Sequence, residues 1–387
     1  MTLPGEAALH TLCRYGAALP WALGPPVEPD PRNTEDHLGE VLEAAVARAI
    51  ASAPGRVAVA LSGGVDSTVV AALARRILGR DLRLYVLESG RAPAQAAFVA
   101  ARLGLPVRPV PAPRPAMVSV TDVAFALGQP THSAAPFGFL PLWRALARDG
   151  VRTVLTGDGA DELFGGHAYH RSPPAEWPDV WGTWRSVRAL GMDADALLLR
   201  SGGRPTDRGE SPASWSSDPW EASPAARRVE AEVLALPPAA RLRHLDVRLR
   251  MGPQCLDLQR RLTGAAGLDY RAPFGELDVM AVALGLPVPT PATEKAPLRR
   301  LARALLGVEL PFEKEPLQAP TGGALRGPWR GLLAPHRVKS MRLFVPDAVA
   351  RLSRRHDPRA PFLDRALVVV ATAHALQIAK ATAAERP

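Results

Sequence analysis

"VAVALSGGVDSTVVAALARRIL", residues 57–78, decides the fold. Its first five residues are apolar and valine-rich, and glycine bounds them, which is the signature of a short buried strand. Gly63 and Gly64 make a turn. Beyond them Val69, Val70, Leu73, Ala74 and Ile77 recur at helical spacing, so a helix follows directly. Strand, glycine turn and helix together form the unit from which parallel sheets are built, with ligands at the carboxyl ends of the strands.

The same alternation continues outward. "LRLYVL" (82–87) reads as a strand, "APAQAAFVAARLG" (92–104) as a helix and "LPVRPVP" (105–111) as a short strand. "FLPLWRALARDG" (139–150) closes further helical sequence and leads into "VRTVLTGDGADELFGG" (151–166). The prediction is an α/β fold over 36–170, a parallel sheet with helices on both faces. Its first helix is expected over His37–Ala53. Residues 1–35 read as a proline-rich N-terminal extension, 171–240 as a Pro/Trp-rich insert or lid, and 241–387 as a mainly helical C-terminal part. No repeat of fixed period is present.

The 387 residues suffice for one large or two ordinary domains with real cores. Their formal net charge of +9 raises the question of nucleic acid. Only four lysines stand against 43 arginines, beside 40 prolines, which points to compositional drift rather than to a binding surface. The basic residues are dispersed without interleaved aromatics, so a nucleic-acid partner is not expected. Cys13 and Cys255 are too few for a metal cage or a disulfide framework, and are expected reduced and structural. "ALVVVATAHALQIA" (366–379) is shorter than a bilayer span and reads as a buried helix. With no signal-peptide pattern at the start, a cytoplasmic protein without membrane contact is expected.

"SGGVDS" presents bare backbone N–H groups at a helix start, where the helix dipole favours an anion. It has neither the G-x-x-x-x-G-K-[ST] nor the G-x-G-x-x-G spacing. The Ser62 and Ser67 hydroxyls add donors, and Asp66 beside a phosphate makes sense with a cation between them. In "LTGDGADELFGG" (155–166), Asp158, Asp161 and Glu162 crowd within five positions, which calls for cations or donors nearby. The plainer reading, an acidic helix start with Asp161 as its cap, explains one acid rather than three.

These residues resemble a known family. "SGGVDS" looks like the pyrophosphate loop of the ATP pyrophosphatases (PP-loop superfamily), and "TGDGADELFGG" resembles the second signature of the asparagine synthetase branch. "LDYRAPFGELDVMAVALGLP" (268–287) and "EKAPLRRLARALLGVELP" (294–311) resemble later stretches of the same family, and 349–376 fits its closing helices. The resemblance implies an ATP- and Mg²⁺-dependent, amide-forming ligase: a carboxylate attacks the α-phosphate, pyrophosphate leaves, and ammonia or an amine then displaces AMP. By resemblance, Ser62, Gly63, Gly64 and Ser67 hold the pyrophosphate, and Asp66 and Asp161 hold Mg²⁺. Val86, Thr156 and Gly157 contact the adenosine, and Asp158 accepts a proton from the amine. Lys295 neutralises the reacting phosphates, and Lys314 is a weaker candidate for the same work.

Three departures stand out. Thr2 occupies the place of the glutaminase cysteine, and 61 residues precede Ser62, too few for an amidohydrolase domain, so nitrogen is expected as ammonia, as an amine, or from a separate glutaminase or carrier partner. Asp158 stands where asparagine synthetases carry glutamate; lactam-forming members use a tyrosine–glutamate pair, and no equivalent is evident in the sequence. Arg260 and Arg261 replace an expected Asp-Lys or Asp-Arg pair. The expected substrate is aspartate or a similar small carboxylate, with an amide- or lactam-forming step in a specialised pathway as the alternative. A catalytically silent nucleotide-binding protein and a tRNA-modifying pyrophosphatase are the rivals.

Overall fold

Helix α1 (Glu35–Ala51) leads into strand β1 (Val57–Ala60), and helix α2 (Val65–Leu78) follows the glycine turn. Thr34 caps α1 by accepting from the His37 N–H at 3.2 Å, so the helix begins two residues before the expected start. The computed structural model describes residues 25–32, 34–112, 119–188, 220–221, 223–311, 329–341, 343–356 and 364–384, with residues 9, 12, 13, 192 and 197. Lys314 and most of the 1–35 extension lie outside the described residues, as does much of 171–240.

The chain continues through β2 (Arg83–Glu88), α3 (Ala92–Leu103), β3 (Val107–Pro111), α4 (Val120–Leu127), α5 (Pro136–Arg148), β4 (Thr153–Leu155) and the short α6 (Ala160–Phe164). After α7 (Val180–Arg188), α8 (Pro224–Leu234) and α9 (Pro238–Leu245), a π-helical segment spans Asp246–Leu256. Then come α10 (Asp257–Ala265), β5 (Asp269–Arg271), α11 (Leu277–Gly285) and α12 (Ala296–Leu306). The last described helices are α13 (Trp329–Leu332), α14 (Pro335–Met341), α15 (Pro346–Arg355) and α16 (Arg365–Ala384).

The five strands pair in the order β3-β2-β1-β4-β5, all parallel, with Val59 opposite Leu84 on one side and Leu155 on the other. The expected α/β architecture is therefore present. β5 is the exception to the helical reading of 241–387. It holds three residues, all half-buried, so it leaves neither an apolar run nor an alternation to read.

Strand periodicity sorts the core onto two faces. Val57 and Val59 pack with Val69, Leu73 and Leu42, while Ala58 joins Phe137, Trp143 and Val369 of α16. "ALVVV" thus belongs to a buried helix, and among the described residues no helix is long and apolar enough to cross a membrane. A third, smaller core gathers Trp177, Trp181, Trp184 and Trp220 against Val229, Leu245 and Leu249.

Sheet order reverses at β1: the chain runs outward through β2 and β3, then returns to place β4 on β1's other flank. The loops after β1 and β4 consequently lie side by side at the carboxyl edge, where such a reversal opens a crevice.

Candidate active site

The loop after β1 is held by its own serines. Ser62 N donates to Ser67 Oγ at 3.2 Å, the two hydroxyls lie 3.1 Å apart, Gly64 N donates to Ser62 Oγ at 3.3 Å, and Ser67 Oγ donates to Gly64 O at 3.1 Å. The hydroxyls expected as ligand donors thus also shape the turn. Gly64 is the N-cap of α2 and supplies no side-chain bond to the first turn. Gly63 has φ +83°, and a Cβ there would fall 2.4 Å from Gln95 Cβ and 2.5 Å from Gln95 backbone carbon. Only glycine fits that position.

The loop after β4 packs against the same helix start: a Cβ on Gly157 would meet Ser67 N at 2.7 Å. Gly159, at φ +96°, is the N-cap of α6, so Asp161 does not cap the helix and its carboxylate turns elsewhere. It meets Lys295. Lys295 Nζ lies 2.5 Å from Asp161 Oδ1 and 2.5 Å from Asp66 Oδ2, so one ammonium joins the carboxylates of both loops. Lys295 is 2% exposed and immediately precedes α12 with φ 54°, the one described non-glycine residue at positive φ. Its N–H donates to Phe164 O at 3.0 Å, tying it to the end of α6. Burial would depress its pKa, but Asp66 and Asp161 outweigh that and raise it. Gly166 leaves room for the chain, since a Cβ would stand 2.4 Å from Lys295 Cε and 2.0 Å from Asp161 Oδ1.

Asp158 takes a different environment. Thr156 Oγ1 donates to Asp158 Oδ2 at 2.7 Å and Tyr270 Oη donates to the same oxygen at 2.8 Å. Burial pushes the carboxyl above its ordinary value, and the two hydroxyl donors oppose that shift. Burial and the Asp158 charge push the Tyr270 phenol well up. A tyrosine–carboxylate pair absent from the sequence reading is therefore present, because β5 delivers Tyr270 beside β4. The only sequence signal for it was Tyr270 within the family-like 268–287 stretch.

Both loops open onto one cleft of about 1450 Å³. Ser62, Gly64, Asp66, Ser67, Val86, Thr156, Gly157, Asp158 and Asp161 all border it. Gly63 faces α3 instead, and Lys295 lies buried behind its two aspartates. Asp66 and Asp161 offer hard oxygen donors that suit Mg²⁺, which takes one or two carboxylates and fills the rest of its shell with phosphate and water. No larger group of His, Cys, Asp and Glu able to hold a metal occurs among the described residues.

Of the next cluster, sequence reasoning singled out Glu162 among the crowded acids and missed its partners. Glu162, buried, accepts from Arg250 Nε at 2.8 Å and lies 2.9 Å from His167 Nε2. Burial would raise the Glu162 carboxyl, but His167 and Arg250 hold it well below the usual range. Asp246, fully buried, accepts from Tyr169 Oη at 2.7 Å and pairs with His170 Nε2 at 2.6 Å. Arg260 and Arg261 border the cleft, and Arg261 is engaged by Asp257 at 2.7 Å and Leu127 O at 3.1 Å.

Comparisons with known proteins give the family. Curated proteins of Mycobacterium tuberculosis and Mycobacterium bovis, each named "Putative asparagine synthetase" with the qualifier glutamine-hydrolyzing, are 29% identical over 303 residues, covering 70% of this chain and 45% of theirs. The chain thus spans about half the length of those relatives. A Gibberella zeae protein named amidase chry2 is 30% identical over 171 residues, 38% of this chain and 25% of its own length. Among solved structures, an NH3-dependent NAD synthetase from Campylobacter jejuni matches with TM-score 0.25 and 19% identity, over 35% of this chain and 61% of its own. The asparagine synthase family model matches residues 37–379, a span that takes in both glycine loops, Tyr270 and Lys295; the chain belongs to the asparagine synthase family.

Proposed function

We propose that this protein is an AMP-forming, amide-bond-making ligase. The observation that supports it best is the single buried ammonium of Lys295 drawing together Asp66 of one glycine loop and Asp161 of the other, the two aspartates bordering a cleft of about 1450 Å³. Loop 62–67 holds the departing pyrophosphate with backbone N–H groups and the α2 dipole. Val86, Thr156 and Gly157 border the adenosine. Asp66 and Asp161 would hold Mg²⁺, which supplies charge neutralisation to the phosphates.

A substrate carboxylate oxygen attacks the α-phosphorus, the bond to pyrophosphate breaks, and an acyl-adenylate remains. The amine lone pair then attacks the acyl carbon, Asp158 takes the amine proton, and AMP leaves with its bonding electrons. Asp158, raised by burial and steadied by Thr156 and Tyr270, suits that base role. Lys295 offsets the charge of the two aspartates and stands ready to balance the phosphates. Nitrogen arrives as ammonia, as an amine, or from a separate glutaminase or carrier partner, and the chemistry takes place in the cytoplasm. Aspartate or a similar small carboxylate is the first reading. The Tyr270–Asp158 pair favours a second, amide or lactam formation with an amine-bearing substrate, because lactam-forming relatives pair tyrosine with glutamate.

The test is ATP–pyrophosphate exchange over a panel of carboxylates, followed by AMP release on adding ammonia or amines. Carboxylate-dependent exchange is expected. ATP binding without exchange or AMP for any pair would instead make the chain a silent nucleotide binder, and a steeply salt-dependent affinity for tRNA would favour the modifying pyrophosphatase.

A further inference from the structure

The cleft crosses from one face of the sheet to the other as it passes over the ends of β1 and β2. Strand alternation sends Leu61 and Val86 into the layer of α2, and Ala60, Tyr85 and Leu87 into the layer of α4, α5 and α16; all five border the cleft. The second layer thus lies across the sheet from Val86, and its wall is apolar. Phe139 and Trp143 stand one turn apart on α5 with their rings stacked, 5.7 Å between centroids and 4° between planes. Leu127 ends α4, and Leu258 of α10 packs against the same core. Leu12, from the N-terminal extension, joins that core and is 5% exposed. Each of these side chains borders the cleft.

The polar groups of this wall are engaged with one another. Tyr85 Oη donates to Asp149 Oδ2 at 3.0 Å, Trp143 Nε1 to Gln259 Oε1 at 3.1 Å, and Arg261 Nη1 to Leu127 O at 3.1 Å. A ligand against the wall therefore meets ring faces and aliphatic groups. Size points the same way. A pocket for one drug-sized ligand holds about 300–1,000 Å³, and the cleft, at about 1450 Å³, exceeds that, so a nucleotide with a small diacid would leave part of it unfilled.

Resting on the carboxylate-activating reading of the cleft, and departing from aspartate as its substrate, we infer that the acyl substrate carries an apolar body, an aromatic ring or a medium-length aliphatic chain, which packs against Phe139, Leu258 and Leu12. Its carboxylate reaches back to the α-phosphate. Such an acid is selected over aspartate, whose further charged groups would lose water at this wall and gain no partner. Phe139, half-buried and held by its stack on Trp143, is the contact that sets the preference. A ring fixed in advance loses little entropy when the substrate docks.

The experiment is calorimetric binding of carboxylates to the full chain in the presence of Mg²⁺ and α,β-methylene ATP, which cannot undergo adenylation. Probes are butyrate, hexanoate, octanoate, phenylpropionate and aspartate. Affinity is expected to rise by about fourfold for each methylene buried, with a negative heat-capacity change, and to level off once the apolar end is full. Aspartate is expected to bind more weakly than octanoate. Phe139→Ala is expected to flatten the series while the nucleotide analogue binds as it does to the wild type. A flat or absent response across the wild-type series, or aspartate as the tightest ligand, overturns the inference and needs no variant. A series unchanged in Phe139→Ala overturns it too, as does a loss of nucleotide affinity there, which would give this wall to the adenine base instead. Because the readout involves no turnover, it separates from the exchange assay, whose failure would strike the ligase reading instead.

Discussion

Tyr270 Oη lies 2.8 Å from Asp158 Oδ2, a contact made across 112 residues of chain. The bond stabilises the ionised carboxylate and so lowers its pKa against the upward push of burial. Removing it has a definite sign. In Tyr270→Phe the Asp158 pKa rises, and the acidic limb of the pH–rate profile for amide formation shifts to higher pH, with activity on the alkaline side nearly retained. Asp158→Asn is expected to slow the amine step by about 10²–10⁴-fold, the usual worth of a general base, while ATP–pyrophosphate exchange persists. Loss of exchange in Asp158→Asn would place that residue in adenylation instead.

Lys295→Met leaves Asp66 and Asp161 facing each other without their shared cation. Adenylation is expected to fall by about 10²–10³-fold, as for loss of a preorganised electrostatic donor. The bare carboxylate pair should then bind Mn²⁺ in the absence of nucleotide more tightly than the wild type does. Electron paramagnetic resonance titration of free Mn²⁺ checks this, and unchanged Mn²⁺ affinity would show that the ammonium does not compete for those oxygens.

Gly63→Ala combines a left-handed backbone with a Cβ 2.4 Å from Gln95 Cβ. The cost is expected to exceed about 1 kcal/mol, with weaker ATP binding, because the loop must shift away from α3. Denaturant unfolding and nucleotide titration read the two effects separately. Gly64→Ala, which has ordinary φ and no neighbour closer than Ser62 Oγ at 3.4 Å, is expected to be milder.

Arg250→Met leaves the buried Glu162 carboxylate with His167 but without its guanidinium, a loss of about 1–3 kcal/mol at neutral pH. Glu162 is held below its ordinary pKa, so the pairing is in force above the unfolded glutamate value and fades as acid protonates the folded carboxylate. The gap between wild type and variant is therefore full at pH 7 and narrows on acidification. Glu162→Gln added to Arg250→Met should recover part of the loss in chemical denaturation, since no buried carboxylate is then short of a cation.

Much of this site was legible because its signals are local. The turn at 62–67 declares itself through Gly63, Gly64 and the helix periodicity after Asp66, and Asp158 and Asp161 sit in one eleven-residue stretch. Tyr270, Phe139 and Arg250 were not legible, since their meaning depends on what lies beside them. Tyr270 gains its partner only when β5 adds to the sheet beside β4, and Phe139 gains its setting only when α5 packs beside the ends of β1 and β2. Lys295 was legible as a rare lysine, but its burial behind two aspartates required the loop after α6 and the positive φ before α12.

Because the sheet takes its fifth strand from residues 269–271, the nucleotide core cannot be completed during synthesis until all of 171–268 has left the ribosome. Until then the edge of β4 is an open row of backbone donors and acceptors, able to pair with the wrong chain. A fragment ending near residue 240 would keep both glycine loops yet lack the strand that closes them, and would be expected to aggregate rather than bind ATP. The polypeptide is therefore committed to folding late and as a whole, through contacts far apart in sequence.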